Sequence, residues 1–503
     1  MQQLLLTRDD KRKTGQFYTP EHVVEFMVNS LNLNPHSTIL DSSCGCGVFL
    51  VKSYQYLLKK YHDTSLIKNV YGVDTNRRAV NQTRKNLINI VGKKYESVIK
   101  DNIQLGNSVS GVNSMNWLKS FSGVFSNGGF DYVIGNPPYF TVTSKTNYDI
   151  NFEKYHNVIN GVVNIATLMT AAGYDLLRNN GTLIFLLPKS ITRVKSYKDL
   201  RCFLLKHVEI KEIFDIGKAF KEVRGEQIIL SFKKKYPKKN NITIRKYETL
   251  DKPFSRQPKI KIEQNKYKDY GVFLTNASEA VYTIGSKILK RGVKLESLSN
   301  GLIFRGISFS KCAKSNTRTS TELVSGEMLE KFRTKRRLYI KKDTIGDLPR
   351  KHKLLLRPKI IIQNIYSAES GIKGTYDAKG VITSETVTNI IIDEKKINPK
   401  YVFAIMNSKL LTFFITYVTF NGSLFTMHTD KEYIGKVPIA VGNKKIQSNL
   451  ISCANKIFCN PECWKEHMPK LDKLVYDLYE IRSPLRKQVD LMLENIMSKR
   501  SYW

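Results

Sequence analysis

Several things are scarce in this chain. Seven cysteines (Cys44, Cys46, Cys202, Cys312, Cys453, Cys459, Cys463) in 503 residues are few and odd in number, which rules out a complete disulfide framework and implies free thiols in a reducing compartment. Cys453, Cys459, Cys463 and His467 match the spacing of no common zinc finger, so no metal is expected. Met1 to Lys13 lack the apolar core of a signal peptide. The longest apolar stretch, Tyr401–Phe420, is interrupted by Asn407, Ser408 and Lys409, as suits a buried helix and not a membrane span. The second half shows no internal repeat. Acidic residues are also few: 44 Asp+Glu face 81 Lys+Arg, a formal charge of +37. Residues 1–236 carry 32 basic and 19 acidic side chains, and the remainder carries 49 and 25. A field of that sign and size favours a polyanion, most commonly nucleic acid.

The first half alternates strand and helix signals, which predicts a mainly parallel sheet covered by helices on both faces. Expected elements are a strand at Thr38–Asp41, a helix at Val48–Lys60, a strand at Asn69–Asp74 and a helix at Arg77–Val91. Strands at Ile103–Leu105 and Phe130–Ile134, a helix at Ile165–Arg178 and a strand at Thr182–Leu187 follow. Val208–Asp215 and Gln227–Phe232 read as the last two strands, an antiparallel pair. A basic, polar break over residues 233–241 puts the domain boundary between about 240 and 265. A mixture of short strands and helices follows, mostly helical from Ile446 onward.

In an open parallel sheet, ligands sit at the carboxyl ends of the strands. The first strand there runs into Asp41-Ser42-Ser43-Cys44-Gly45-Cys46-Gly47, whose glycines permit a tight turn and close backbone approach to a ligand. Asp74 ends the second strand, placed to hold ribose hydroxyls. The fourth strand ends in Asn136-Pro137-Pro138-Tyr139. Proline fixes φ and holds the preceding residue extended, so the Asn136 side-chain oxygen and the Pro137 carbonyl can face one way beside the Tyr139 ring. Two acceptors and a π-face suit a planar substrate carrying an NH2 group, such as adenine.

Taken in order, these segments resemble the S-adenosylmethionine-dependent DNA adenine-N6 methyltransferases of bacterial restriction–modification systems. The match is to the gamma-type motif order (TaqI- and Eco57I-like), with a C-terminal target recognition domain. Thr14 to Pro20 looks like the family's N-terminal cofactor motif, and Phe220 stands where the family places a second aromatic against the target base. The resemblance implies a Rossmann-like, mostly parallel seven-stranded methyltransferase sheet in residues 1–245. It further implies a mixed α+β recognition domain over 260–445 and a helical tail over 446–503 packed on it. S-adenosylmethionine is the implied cofactor, held by Tyr18, Thr19, Pro20, Asp41, Cys44, Gly45, Gly47, Asp74 and Asn107, with Asp101 as the alternative to Asn107. Asn136, Pro137, Pro138 and Tyr139 would be catalytic, and Tyr139 and Phe220 would stack on a base flipped out of the duplex.

The chain departs from the family pattern at Ser42-Ser43, where Pro-Ala or Pro-Ser is common, and at Gly45-Cys46-Gly47, where Gly-Ser-Gly is usual. It also has Gly106-Asn107-Ser108 where an acid normally follows the third strand. Candidate DNA contacts are Arg305, Lys331, Arg333, Lys335, Arg336, Arg337, Lys341 and Lys342, joined by Arg350 and Arg357, mostly gripping phosphates. The Asn421-Gly422 turn with Phe420 is a candidate loop near DNA, and Gly301–Phe309 and Asn407-Ser408-Lys409 resemble segments of the family's recognition domains.

The expected partner is double-stranded DNA, with a separate restriction endonuclease or specificity subunit open. The protein is expected to be a monomer in the cytoplasm, associated with the nucleoid and not with a membrane. Asn-Pro-Pro-Tyr also serves methyltransferases that act on RNA guanine or on protein glutamine. Those readings compete, as does a non-catalytic DNA-recognition subunit. The long basic C-terminal half argues against a glutamine substrate, and the intact motif argues against a subunit without activity.

Overall fold

The structure is a computed structural model that describes residues 19–109, 115–143, 150, 152–218, 225–247, 253–308, 314–315, 321–336, 338–340, 353–423 and 427–499. The chain divides into two compact units, Met1–Ala277 and Ser278–Trp503. The expected boundary near 240–265 therefore falls inside the first unit.

That unit is built on one large, mostly parallel sheet. Its strands are β1 (Ile39–Asp41), β2 (Val70–Asp74), β3 (Ile103–Leu105), β4 (Phe130–Gly135), β5 (Leu177–Pro188), β6 (Glu209–Gly217), β7 (Gln227–Lys233), β8 (Asn241–Lys246) and β9 (Lys259–Glu263). They lie in the order β3-β2-β1-β4-β5-β7-β6-β8-β9. β7 runs antiparallel between β5 and β6. The seven-strand expectation is corrected to nine: β8 is parallel to β6, and β9 is antiparallel to β8. The two extra strands are inconspicuous because lysines surround them. Only Ile242 and Ile244 mark β8 as half-buried, and Arg245 reaches the interior by ion-pairing with Glu212 at 2.7 Å.

Helices α1 (Glu21–Asn29), α2 (Val48–Tyr61), α3 (Arg77–Val91), α4 (Ile165–Leu176) and α5 (Lys198–His207) flank the sheet. The faces of α1 and α2 bury Val23, Val24, Met27, Val28, Phe49 and Leu57 against Ile39, Ile134, Ile184, Leu186, Phe214 and Ile229. α3 begins at Asn76, whose side chain accepts the N–H groups of Arg78 and Ala79. β5 starts earlier than its apolar run predicts. Leu177 pairs with Phe130, residues 178–181 bulge out, and Thr182 resumes the ladder opposite Tyr132.

The second unit holds a four-stranded antiparallel sheet of Ile303–Arg305, Val387–Ile390, Lys359–Gln363 and Gly374–Asp377. A second small sheet joins Thr321–Val324, Leu338–Ile340 and Ile382–Thr383. Lys359, at the start of its strand, is buried and donates to Asp377 at 2.7 Å and to the Val381 carbonyl at 2.9 Å. Helices Pro399–Met406, Lys409–Phe414, Lys444–Cys459, Trp464–Leu478 and Ser483–Lys499 complete it. The Tyr479 hydroxyl donates to Pro438 O and receives the Ala440 N–H, tying the helical end to a strand. The Tyr401–Phe420 stretch is buried and broken at Asn407-Ser408, and no single helix among the described residues is long and apolar enough to cross a membrane.

Candidate active site

The carboxyl ends of β1, β2 and β4 converge. Asp41 closes β1 and is buried, and its Oδ1 accepts the Ser43 N–H at 3.0 Å. Gly135, at the end of β4, passes so close that a Cβ there would lie 2.8 Å from Asp41 Oδ1. Glycine is thus required for the strand carrying Asn136 to pass the carboxylate. Burial pushes the Asp41 carboxyl up to about 8; the Ser43 N–H opposes the rise and the charge of Asp74 adds to it.

Asp74 closes β2 and clamps the glycine-rich turn. Its Oδ2 accepts the Gly45 N–H and its Oδ1 the Asn76 N–H, both at 2.8 Å. Burial raises its carboxyl as well, against those backbone donors. From α3, Thr83 donates to Gly45 O at 2.7 Å and Asn86 to Cys46 O at 2.9 Å. Gly45 has φ +54 and open space where a side chain would be. Gly47 has φ +83, and a Cβ there would meet Thr83 at 2.6 Å. The turn is therefore held from behind, with its open side at Gly45. Cys44 belongs to the core: its side chain is buried among Leu50, Val51 and Tyr54, so only its backbone can face a ligand, which narrows the expected role.

After β3, Asn107 accepts the Val109 N–H on its own Oδ1 at 3.1 Å, and Ser108 donates to Ser42 O at 2.5 Å. Asp101 lies on the helix Glu96–Asn102 before the amino end of β3. Of the two candidates for the cofactor adenine, only Asn107 stands at the carboxyl edge.

The Asn136 amide is oriented by two neighbours. Its Nδ2 donates to Thr19 Oγ1 at 3.0 Å, and its Oδ1 lies 2.5 Å from the Tyr139 hydroxyl. That hydroxyl is also 2.7 Å from Leu186 O on β5, so one proton faces two acceptors. The arrangement differs from a tyrosine ring lying free beside the amide. Burial raises the Tyr139 phenol well above its ordinary range. Pro137 is buried, and Pro138 and Tyr139 are half-buried.

Sequence reasoning missed a charged cluster at the ends of β5, β6 and β7. Lys189 Nζ lies 2.8 Å from Asp215 Oδ2 and 2.9 Å from Glu226 Oε1, with all three side chains buried. Burial alone would lower the Lys189 ammonium, but the two carboxylates outweigh it and hold the group above its ordinary value. The signal available in the sequence was the position of these charges at predicted strand ends.

Tyr18 and Phe220 lie outside the described residues, as do Arg337, Lys341, Lys342 and Arg350. Among the remaining basic candidates, Arg305 is exposed and held by Asp430. Lys331 is half-buried, with its ammonium 4.8 Å from the Trp464 ring centroid. Arg333 pairs with Glu330 and Glu462, Lys335 with Glu330, and Arg336 with Glu327. Arg357 is exposed. In the candidate Asn421-Gly422 loop, Phe420 is buried against Tyr366 and Tyr433 and Asn421 is buried as well.

Comparison with known proteins meets this geometry. Residues 68–221 match the Eco57I restriction-modification methylase family, and residues 315–439 match the TaqI-like C-terminal specificity domain. A type I restriction enzyme methylase subunit, MjaVII of Methanocaldococcus jannaschii, is 31% identical over 131 residues, 26% of this chain and 19% of the relative. A putative type II restriction enzyme and methyltransferase of the same organism is 24% identical over 407 residues, 77% of this chain and 32% of the relative. The type II methyltransferase M.HincII of Haemophilus influenzae is 25% identical, covering 46% of this chain and 39% of the relative. The chain thus spans well under half the length of these three relatives. Among solved structures, the type IIL restriction-modification enzyme MmeI in complex with DNA superposes with a TM-score of 0.56 at 13% identity, over 95% of this chain and 75% of that one. A DrdV–DNA complex superposes with a TM-score of 0.54 at 10% identity, over 89% and 57%. The chain thus carries, in order, a region similar to the Eco57I restriction-modification methylases and a region similar to the TaqI-like C-terminal specificity domain.

Proposed function

We propose that the chain transfers a methyl group from S-adenosylmethionine to N6 of an adenine flipped out of duplex DNA. The observation that carries this reading is the meeting of Asp41, the Asp74-clamped glycine turn and Asn136 at one sheet edge, with Gly135 bare so that β4 can pass Asp41. The residues fit the cofactor. Two buried carboxylates with no cation beside them among the described residues favour a ligand bearing an amine and hydroxyls, and the turn is open at Gly45. Bound S-adenosylmethionine would supply an electrophilic methyl group. Asp41 would hold its amino group, Asp74 would accept from its ribose hydroxyls with the lone pairs that backbone donors leave, and Asn107 would face its adenine.

The target nitrogen is a poor nucleophile because its lone pair is delocalised into the ring. Asn136 Oδ1 and the Pro137 carbonyl accept its two N–H groups, favour a pyramidal nitrogen and stabilise the charge that develops on attack. The Tyr139 hydroxyl stands where that N–H belongs. Entry of the base exchanges one donor for the other, and the freed tyrosine retains the Leu186 carbonyl as acceptor. Positioning supplies much of the rate, and no covalent enzyme intermediate is needed.

The test is incubation of the purified chain with S-adenosylmethionine and mixed-sequence duplex DNA, followed by methylation-sensitive sequencing. N6-methyladenine in a defined motif is expected. Methyl transfer only to RNA or to a glutamine side chain, or to nothing, would refute the reading.

A further inference from the structure

We infer that Arg305 and His428 together read one G·C base pair in the major groove, and that Asp430 and Asn364 are the positioning residues that hold them in register. Both readers are exposed. Arg305 Nε donates to Asp430 Oδ1 at 2.7 Å and Nη2 to Asp430 Oδ2 at 2.8 Å. The guanidinium is engaged along its side edge, which leaves the end carrying Nη1 and the second Nη2 proton directed outward. Burial opposes ionisation of Asp430, but hydrogen bonds from Arg305 and Asn364 outweigh it and keep the carboxyl below its ordinary range.

Beneath this pair lies a buried polar chain in which every hydrogen has a place. Asn364, Thr388 and Thr429 are all nearly inaccessible to solvent. Asn364 Nδ2 donates to Asp430 Oδ1 at 3.1 Å and to Thr388 Oγ1 at 2.8 Å, which uses both amide hydrogens. Thr429 donates to Gln363 O at 3.1 Å, so the Thr388 hydroxyl must donate to Thr429 Oγ1, 3.0 Å away. Asn364 Oδ1 therefore has only acceptor capacity left, and His428 Nδ1, 2.8 Å away, must be its donor. With Nδ1 protonated, the neutral ring presents Nε2 to solvent as an acceptor.

A saturated buried network of this kind is rigid. It presents two donors from Arg305 and, anchored through the same Asn364, one acceptor from His428. In the major groove a G·C pair offers the complement: acceptors at guanine N7 and O6 and a donor at cytosine N4. An A·T pair offers no two adjacent acceptors to an arginine fork. A phosphate contact would leave the buried Asn364 and the fixed histidine tautomer without purpose. Asn364, His428 and Asp430 fall inside the segment that matches the specificity domain.

The inference rests on the proposed function only in taking duplex DNA as ligand, and a binding readout separates the two. The full chain is equilibrated with a randomised duplex pool and the bound fraction is sequenced, with Arg305→Ala, Arg305→Lys and His428→Ala alongside. The wild type should enrich a motif with a fixed G·C pair. Both Arg305 variants should lose preference at that position alone, by about ten- to a hundred-fold, which is the discrimination one bidentate contact provides. His428→Ala should relax the same position in part. Equal thermal midpoints guard against misfolding, and Arg305→Lys keeps the charge while removing the fork. A wild-type motif without a fixed G·C pair would overturn the inference, as would variants that weaken binding to every sequence alike. Methyl transfer is measured on the same pool. Enrichment of the pair without methylation would refute the proposed function and leave the readers standing, whereas methylation without the pair would do the reverse.

Discussion

At the residue scale, Asp41 has the clearest consequences. Its carboxyl has an ordinary value of 3.8 and titrates near 8 in the fold. The folded chain therefore keeps a proton that the unfolded chain loses in between. Its stabilising contribution is complete below pH 4, roughly the carboxylate's ordinary value, and is lost as pH rises toward 8. Asp41→Asn should flatten that decline in pH-dependent unfolding of the free protein. If a cationic amine binds there, cofactor affinity should rise by up to about ten-fold per pH unit between pH 6 and 8, because binding releases the proton. Titration calorimetry of the wild type and of Asp41→Asn gives the slope, and a flat wild-type profile would remove Asp41 from the amine site. Tyr139 separates ring from hydroxyl. Tyr139→Ala should cost roughly 1–3 kcal/mol of base stacking together with nearly all turnover. Tyr139→Phe keeps the ring and releases Asn136 Oδ1, so its rate should stay within about ten-fold of wild type. Asn136→Ala should abolish methylation while DNA affinity changes little, because that side chain serves one base while the basic half serves the backbone. Equal losses of rate and affinity in Asn136→Ala and Tyr139→Ala would contradict this division of labour.

At the scale of elements, a short turn and a strand-end cluster support the site. Gly47 adopts a left-handed conformation against Thr83, so Gly47→Ala should strain the turn by about 1–3 kcal/mol and weaken cofactor binding. Binding assays with Gly47→Ala and the double variant Gly47→Ala/Thr83→Ala separate backbone strain from the clash, since only the clash is relieved by removing the threonine. The Lys189–Asp215–Glu226 cluster locks the ends of β5, β6 and β7. Lys189→Ala takes the buried ammonium away from two buried carboxylates and should cost about 3–5 kcal/mol at neutral pH. Denaturant unfolding at pH 8 and pH 5 should show the loss shrinking at the lower pH, where those carboxylates can take protons. The sequence placed these charges at strand ends but did not show that they meet. Lys189, Asp215 and Glu226 are far apart along the chain, and each reads alone as a solvated charge. The strands β1, β2, β4, β6 and β7, by contrast, stand out as apolar runs bounded by turn residues.

At the scale of the molecule, charge and partition matter most. A +37 chain gripping several phosphates should lose about a thousand-fold or more in DNA affinity between 50 and 200 mM salt. A shallow salt slope would mean that the basic surface has another purpose. Fewer cations are unengaged than composition suggests, since Arg305, Arg333, Lys335 and Arg336 all have acidic partners and Lys331 sits half-buried by Trp464. Apart from Arg305–Asp430, which the buried Asn364 backs, surface pairs of this kind are weak, and a phosphate can displace the acid. The division at Ala277/Ser278 predicts that a fragment ending at Ala277 keeps β8 and β9 and unfolds cooperatively, whereas one ending at residue 245 exposes Ile242 and Ile244 and aggregates. Chromatography and thermal unfolding of the two fragments would decide.

The sequence by itself determined the parallel-sheet class, the positions of Asp41, Asp74 and Asn136 at strand ends, and the resemblance to the methylases. Hydrophobic period, glycine and proline act over a few residues, so these features are local. Tertiary structure alone decided that Gly135 is bare because Asp41 stands beside it, that Asn107 and not Asp101 reaches the carboxyl edge, that Cys44 is core, and that Asn136 is tethered by Thr19 and Tyr139. It also decided that one buried asparagine holds His428 directly and Arg305 through Asp430. Each of these depends on contacts between residues distant in sequence, where burial and hydrogen-bond geometry, not composition, assign the role.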